Sequence, residues 1–110
     1  MKRVICLGIV MFGFLTAGYA HPPDSINVAV SGNTVVITVD HEVQNALQHY
    51  IKLITVSVNG EDKIRQTFTL QKGNQQYVMY VIPEIRRGDT IEVEATCNKF
   101  GSLKVQEKVE

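Results

Sequence analysis

Hydrophobic and polar residues alternate along most of the chain after residue 20, which is the pattern of strands with one buried face. Seven such segments follow one another, and turn-forming Gly, Asn, Asp or Pro residues separate them about every 8 to 12 residues. No segment has a convincing helical period. The pattern therefore predicts one all-β domain over residues 21–110, a seven-stranded immunoglobulin-like β-sandwich.

The first three segments show where the turns fall. The first two predict a hairpin closed by Ser31-Gly32-Asn33, with inward positions at Ile26, Val28, Val30, Val35, Ile37 and Val39. The third segment, residues 50 to 58, changes phase near Leu53-Ile54, which predicts a β-bulge or a strand buried on both faces. Asn59-Gly60 then predicts a tight turn.

The remaining segments complete the predicted sandwich. The apolar run from Tyr77 to Ile82 predicts a central strand, which Pro83 ends. Gly88-Asp89 predicts the turn before the sixth segment, whose inward phase leads up to Cys97. The apolar positions of the fourth, sixth and seventh segments are Ile64, Phe68 and Leu70; Ile91, Val93 and Ala95; and Leu103, Val105 and Val109.

The first 20 residues have the composition of a signal peptide. Lys2 and Arg3 precede an apolar run from Val4 to Leu15, and small residues then lead to a predicted cleavage site after Ala20. The run is shorter than the roughly 20 residues of a membrane-spanning helix, so we expect no membrane span once the signal is removed. The sequence therefore predicts a periplasmic or secreted protein.

Charge argues against nucleic acid as a partner. Removing Lys2 and Arg3 from the 11 basic residues leaves 9 against 11 acidic residues, a net charge of −2. Nucleic-acid binding rests largely on clustered Lys and Arg, and here the one basic cluster is Arg86-Arg87, which we expect in a solvated turn.

The chain's three histidines and the one cysteine expected to remain after cleavage of the signal fall where a single metal could gather them. His41 continues the inward phase of the second segment, and Cys97 continues that of the sixth, so both are expected on the core side at strand ends. His49 lies eight residues after His41, at the start of the third segment, and His21 would open the mature chain. Thiolate with imidazoles suits iron, zinc or copper, so His21, His41, His49 and Cys97 are the predicted metal ligands.

Each candidate ligand also has a purely structural interpretation. His41 and His49 could be satisfied polar residues at strand ends, and His21 could be a solvated residue at a chain terminus. Cys97 could be a small buried core residue. Against that, a lone thiol in an oxidising compartment calls for a partner or a metal.

Copper offers a second kind of site at the predicted mature terminus. Cleavage before His21 would place a new α-amino group beside its imidazole, and the two could chelate one ion, with a further histidine completing a copper brace. Cu(II) stands at the top of the divalent affinity order, which favours this alternative among N-donor sites.

Four short motifs give the chain a family resemblance. His21-Pro22-Pro23, His41-Glu42-Val43, His49-Tyr50-Ile51 and Cys97-Asn98-Lys99-Phe100-Gly101 occur in that order. The chain thus resembles the iron-binding domain of the desulfoferrodoxin and superoxide reductase family over essentially the whole mature sequence. The resemblance implies an immunoglobulin-like sandwich, a mononuclear iron on four histidines and one cysteine, superoxide-reducing activity and a small redox donor protein as partner.

The sequence departs from that family at four places, one of which is the wider spacing between its two later histidines. Phe100 stands where the last histidine ligand is expected, and Glu42 replaces a proline. The family's Glu-Lys loop before the first histidine would fall in the removed signal. The catalytic residues and the enzymatic activity therefore stay open. The alternative function is a non-catalytic sandwich that carries copper or binds an exported partner through an exposed edge strand.

Overall fold

The computed structural model describes residues 21–110, and its secondary structure there consists of strands and turns without a helix. The predicted signal peptide lies outside the described residues. Within residues 21–110, no helix exists that could cross a membrane. The seven strands are β1 (Ser25–Ser31), β2 (Thr34–Asp40), β3 (Ile51–Val58), β4 (Glu61–Thr67), β5 (Gln75–Val81), β6 (Thr90–Cys97) and β7 (Ser102–Lys108).

The strands form two antiparallel sheets, as the alternating pattern predicts. One sheet has the order β1-β2-β5 and the other has the order β4-β3-β6-β7. In a constant-type immunoglobulin domain, the fourth strand belongs to the sheet that contains the first, second and fifth strands. Here β4 pairs with β3 in the other sheet, so the sheet that contains β1 has three strands and the other has four. The all-β sandwich prediction is confirmed.

Alternation places one face of each sheet in a shared core. In β6 every second residue is buried, and in β2 the same holds until the strand ends. The side chains of both inner faces form one hydrophobic cluster, as expected for packed sheets. Its buried members are Val35, Ile37, Val39, Ile51, Ile54, Val56, Val58, Val78, Ile82, Ile85, Ile91, Val93, Ala95 and Val109.

The phase change in the third segment corresponds to a β-bulge. The register between β3 and β6 shifts between Ile51 and Leu53, and the inward residues move from odd to even positions there. Asn59 and Gly60 then close a two-residue hairpin with φ of 53° and 85°. Both residue types tolerate the positive φ that such a turn requires.

The prediction of a central strand at residues 77 to 82 is wrong. β5 is an edge strand, paired on one side to β2 alone, and it begins at Gln75. Tyr77, Met79 and Val81 are 60 to 68 % exposed, because the outward face of β5 carries apolar residues as well as the inward face. A continuous apolar run does not distinguish this arrangement from burial on both faces.

The antiparallel order brings four chain segments to one end of the sandwich. β2 and β6 finish at this end, while β1 and β3 start there. His21 precedes β1, His41 follows β2, His49 precedes β3, and Cys97 is the last residue of β6. The predicted convergence of strand ends is confirmed, and we call this end of the sandwich the histidine end.

Candidate metal centre

Three imidazole rings pack together at the histidine end. The ring centroids of His41 and His49 lie 4.6 Å apart, and those of His21 lie 4.9 Å from His41 and 5.2 Å from His49. One nitrogen from each ring can be chosen so that all three lie within 4.8 Å of one another. Nitrogens at that spacing can be drawn onto a single metal ion, so the three histidines could hold one.

His41 is the most deeply buried member of the group, with an exposed fraction of 0 %. It follows β2 in the inward phase, so the strand itself carries the imidazole under the other rings. Its Nδ1 is paired with Gln71, but its Nε2 has no hydrogen-bond partner in residues 21–110. A buried polar atom without a partner costs roughly 1–3 kcal/mol, which is the kind of cost a ligand removes.

Gln71 holds His41 from the loop between β4 and β5. The glutamine is only 3 % exposed, and its Oε1 accepts from His41 Nδ1 at 2.9 Å and from the Ile51 amide at 3.1 Å. Its Nε2 donates to the carbonyl oxygens of His41 at 2.7 Å and Gly73 at 2.9 Å. The side chain thus ties the end of β2 to the start of β3 across the two sheets.

His49 and Cys97 meet within the second sheet. His49 is 8 % exposed, Cys97 is 3 % exposed, and His49 Nε2 lies 3.1 Å from Cys97 Sγ. The backbone amide of Lys99 donates to the same sulfur at 3.3 Å. Hydrogen bonds to sulfur are one of the levers by which proteins tune thiolate-bound metals, so this sulfur is suited to act as a thiolate.

Asn98 fixes the loop that carries His49. Its Oδ1 accepts from the Tyr50 amide at 2.9 Å, and its Nδ2 donates to the Gln48 carbonyl at 3.0 Å. The Asn98 amide also donates to the Tyr50 carbonyl at 2.9 Å. Asn98 therefore brackets His49 on both sides and holds it against the end of β6, a role beyond the turn former that the sequence indicates.

His21 reaches the cluster on a short arm, residues 21–24. Its Nε2 lies 2.9 Å from the Glu42 carbonyl oxygen and its Nδ1 lies 2.7 Å from the Pro22 carbonyl oxygen, and a neutral imidazole can donate to only one of them. The arm is fixed where Asp24 accepts from the Glu42 amide at 2.8 Å and donates from its own amide to the Asp40 carbonyl at 2.7 Å. To coordinate a metal, the unprotonated nitrogen of His21 must turn away from the carbonyl oxygen that it faces.

The arm also rests on the turn after β6. A Cβ atom at Gly101 would lie 2.8 Å from Pro22 Cγ and 3.1 Å from Pro22 Cβ, so the glycine lets the proline ring approach its backbone. Gly101 has a φ of 84°, which also favours glycine. The turn that follows Cys97 and the arm that bears His21 are therefore in direct contact.

The local electrostatics keep His49 neutral. Burial lowers the pKa of His49 below its usual 6.5, and the nearby positive charges that His41, His21 and Lys99 can carry lower it further. A neutral imidazole is the form that binds metals. The lowered pKa of His49 thus favours the form that can bind an ion.

The separation of His49 Nε2 and Cys97 Sγ suits two ligands on one ion. Bonds of about 2.1 Å to nitrogen and 2.3 Å to sulfur place the two atoms about 3.1 Å apart at a right angle and about 3.6 Å apart at the tetrahedral angle. The observed distance is 3.1 Å. The group of ligand atoms within 4.8 Å of one another consists of the three histidines, and Cys97 contacts it through His49 alone. Imidazole and thiolate donors together would suit a soft or borderline transition metal.

Phe100 does not close this end of the sandwich. Its side chain is 63 % exposed. An open groove of about 540 Å³ borders the histidine cluster on the other side of the arm. Its lining residues are His21, Pro22, Pro23, Asp24, Glu42, Val43 and Gln44.

Gln71 carries no mark in the sequence that would have identified it. It is a single polar residue in a loop, 30 positions from His41, and neither periodicity nor a motif links the two. Its neighbours Leu70 and Lys72 are both exposed, so the burial of Gln71 is visible only in three dimensions.

Comparisons with known proteins add no relative. No protein-family model, no curated protein and no solved structure matches this chain.

Proposed function

We propose that this protein is a mononuclear transition-metal-binding module in which His21, His41, His49 and Cys97 hold one ion. The observation that carries the proposal is His41, whose fully buried imidazole leaves Nε2 without a partner beside two other rings. A core histidine that served packing alone would have both nitrogens paired or be replaced by an apolar residue at little cost.

The chain's own residues would divide the work of the site. His41 and His49 form a fixed, buried pair, while His21 is partly exposed and borders the groove. Cys97 supplies the thiolate, and the Lys99 amide stabilises the negative charge on its sulfur. An arriving ion would therefore meet His21 first, and the carboxylates of Asp24 and Glu42 at the groove would favour its approach.

Iron is the metal we propose, with copper or zinc as alternatives, and the resemblance to the desulfoferrodoxin and superoxide reductase family supports it. Iron bound to thiolate and imidazoles would supply one-electron chemistry. Superoxide reduction with a small redox donor protein is the corresponding proposed activity. The acidic groove favours attraction of a metal cation over that of an anionic substrate, and Phe100 stands where the family has a histidine ligand.

The test is to express the protein with its own N-terminal segment, purify it without a metal-binding tag and measure metal content together with intact mass. We expect about one iron per chain and its loss in Cys97→Ser, because the sulfur is a direct ligand. The intact mass also tests cleavage after Ala20. Absence of stoichiometric metal, even after anaerobic addition of Fe(II) or Cu(I), would refute the proposal.

Two variants separate the alternatives. One extra residue placed before His21 would abolish tight binding by a copper brace, because the α-amino group would move away, whereas a side-chain site would tolerate it. Phe100→His restores the histidine of the family pattern, and we expect it to raise iron affinity and superoxide reduction together. Strong reductase activity in the unaltered protein would show instead that Phe100 is no obstacle.

A further inference from the structure

The buried amide of Gln71 determines which nitrogen of His41 carries the proton. The orientation of the amide is fixed by its surroundings: its Nε2 faces two carbonyl oxygens, which only accept, and its Oε1 faces the Ile51 amide, which only donates. A flipped amide would set its oxygen against two carbonyl oxygens and its NH2 group against the Ile51 N–H. Oε1 is therefore the atom that His41 Nδ1 meets at 2.9 Å.

The proton of a neutral His41 must then lie on Nδ1. Oxygen Oε1 has no hydrogen to give, so the contact is a hydrogen bond only if Nδ1 donates. The neutral imidazole has one donor and one acceptor nitrogen, so Nε2 carries the free lone pair. This is the nitrogen without a partner in the described residues, and it lies in the ring that contacts both other histidines.

We propose that Gln71 is a positioning residue of the metal centre, which holds His41 in the Nδ1–H tautomer and presents Nε2 to the ion. This inference rests on the proposed function for its metal-binding part. Metal-bound histidines generally donate their second nitrogen to an oxygen acceptor, and loss of that acceptor costs 10–100-fold in affinity. Here the acceptor is already in place before any ion binds, because four hydrogen bonds hold the amide.

The arrangement also explains why the acceptor is an amide rather than a carboxylate. The carbonyl oxygens of His41 and Gly73 require a donor, and glutamine supplies donor and acceptor from one side chain. Gln71 thus links the end of β2, the start of β3 and the turn before β5, and the ring orientation depends on all three.

The test reads the tautomer and the metal affinity separately. Two-bond ¹H–¹⁵N correlation spectra of metal-free protein identify the protonated nitrogen of His41, and titration with Co(II) gives affinity and a cobalt absorption spectrum. We expect Nδ1–H in the unaltered protein. In Gln71→Met we expect loss of that preference and a Co(II) affinity about 10–100-fold lower.

Two further variants exclude a merely structural explanation. Gln71→Glu keeps an oxygen for Nδ1 but removes the two donors to the carbonyls of His41 and Gly73, and we expect it to retain the Nδ1–H tautomer, because the oxygen alone selects that form. Gln75→Met is the matched control, because Gln75 bonds to Asp40 at the exposed start of β5 and should leave both readouts unchanged. Equal Co(II) affinity in Gln71→Met and the unaltered protein would overturn the proposal.

The tautomer separates failure of this inference from failure of the proposed function. Protonation of His41 at Nε2 in the metal-free protein would overturn the inference whether or not Co(II) binds. The Nδ1–H form in a protein that binds no metal would refute the proposed function and support the role of Gln71 in setting the tautomer.

Discussion

The two ends of the sandwich are both tied by amide side chains, yet they differ in what they leave unpaired. At the end opposite the histidines, Asn33 Nδ2 donates to the carbonyls of Ile82, Pro83 and Ile85 at 3.1 to 3.3 Å. Asn59 there donates to Asp89 and accepts from the Thr90 amide. The polar groups of these two side chains thus find their partners within the chain, and no buried side-chain polar atom at this end of residues 21–110 is left unpaired.

Amide side chains also hold the loops of the histidine end, but one buried nitrogen there has no hydrogen-bond partner. Gln71 and Asn98 clamp its loops as Asn33 and Asn59 clamp those of the other end. His41 Nε2 alone among buried side-chain polar atoms of residues 21–110 is without a partner. The difference indicates that the histidine end is organised for something outside the chain.

The comparison predicts opposite effects of one substitution at each end. His41→Leu should reduce Co(II) affinity by more than the roughly 10–100-fold expected when only the hydrogen-bond acceptor of a ligand is lost, because it removes a ligand. It should alter the free energy of unfolding of metal-free protein little, since leucine fills the site and Gln71 Oε1 keeps the Ile51 amide. Asn33→Ala should lower that free energy by about 1 kcal/mol and leave Co(II) affinity unchanged.

Urea unfolding and Co(II) titration of both variants measure these effects. A large loss of stability in metal-free His41→Leu, with Co(II) binding intact, would show that His41 serves the core rather than a metal.

Two glycines with nearly equal backbone angles sharpen the same contrast. Gly101 and Gly60 have φ of 84° and 85°, so alanine adds a similar left-handed strain of roughly 1–2 kcal/mol at each. A Cβ at Gly60 meets nothing within 4 Å, whereas at Gly101 it meets Pro22 at 2.8 Å. We therefore expect Gly101→Ala alone to weaken Co(II) binding, about tenfold, by displacing the arm that bears His21.

The control is Gly60→Ala, which should lose stability in urea without losing Co(II) affinity. If the two variants bind Co(II) equally well, then the contact of Pro22 with Gly101 does not place His21 in the site.

A smaller effect is expected from pH. The unfolded chain takes up a proton on His49 near pH 6.5, whereas the folded protein does so only at lower pH, because burial lowers the pKa of His49. The stability that neutral His49 permits is thus complete above pH 6.5 and is lost as pH falls from there towards the lowered pKa. Asp89, at the opposite end, has a pKa lowered by Asn59 and would act only in more acidic solution.

Urea unfolding of metal-free protein between pH 7.5 and 5.5, with a chelator present, measures this slope. His49→Gln should flatten it, and an unchanged slope in that variant would exclude His49 as its source.

Most of the fold could be predicted from the sequence, because its determinants are local. Alternation along β2 and β6 gives the buried face directly, and Asn59-Gly60 gives a hairpin turn. The bulge near Leu53 is visible as a phase change. Strand order is different: β5 is as apolar as a central strand, and its edge position follows from pairing between distant segments.

In the candidate site too, local patterns predict some residues, whereas others depend on contacts between distant segments. Phase alone places His41 and Cys97 on the core side at strand ends, and the structure confirms both. The residues that hold the candidate ligands in place could not be predicted, because Gln71 bonds to a residue 30 positions away and Asn98 to one 48 positions away. Short-range patterns carry no information on which loop side chain will meet which ring.

The four candidate ligands come from both sheets, with His41 at the end of β2 in one and Cys97 at the end of β6 in the other. A single ion would therefore be a cross-link between the layers. Cys97 is the one cysteine of residues 21–110, so no disulfide within this range can make that connection. Closing the loop from His21 to Cys97 would lower the conformational entropy of the unfolded chain. The resulting stabilisation is on the order of 4 kcal/mol, as for a disulfide of that span. The ion would thus do for this sandwich what the inter-sheet disulfide does for an antibody domain.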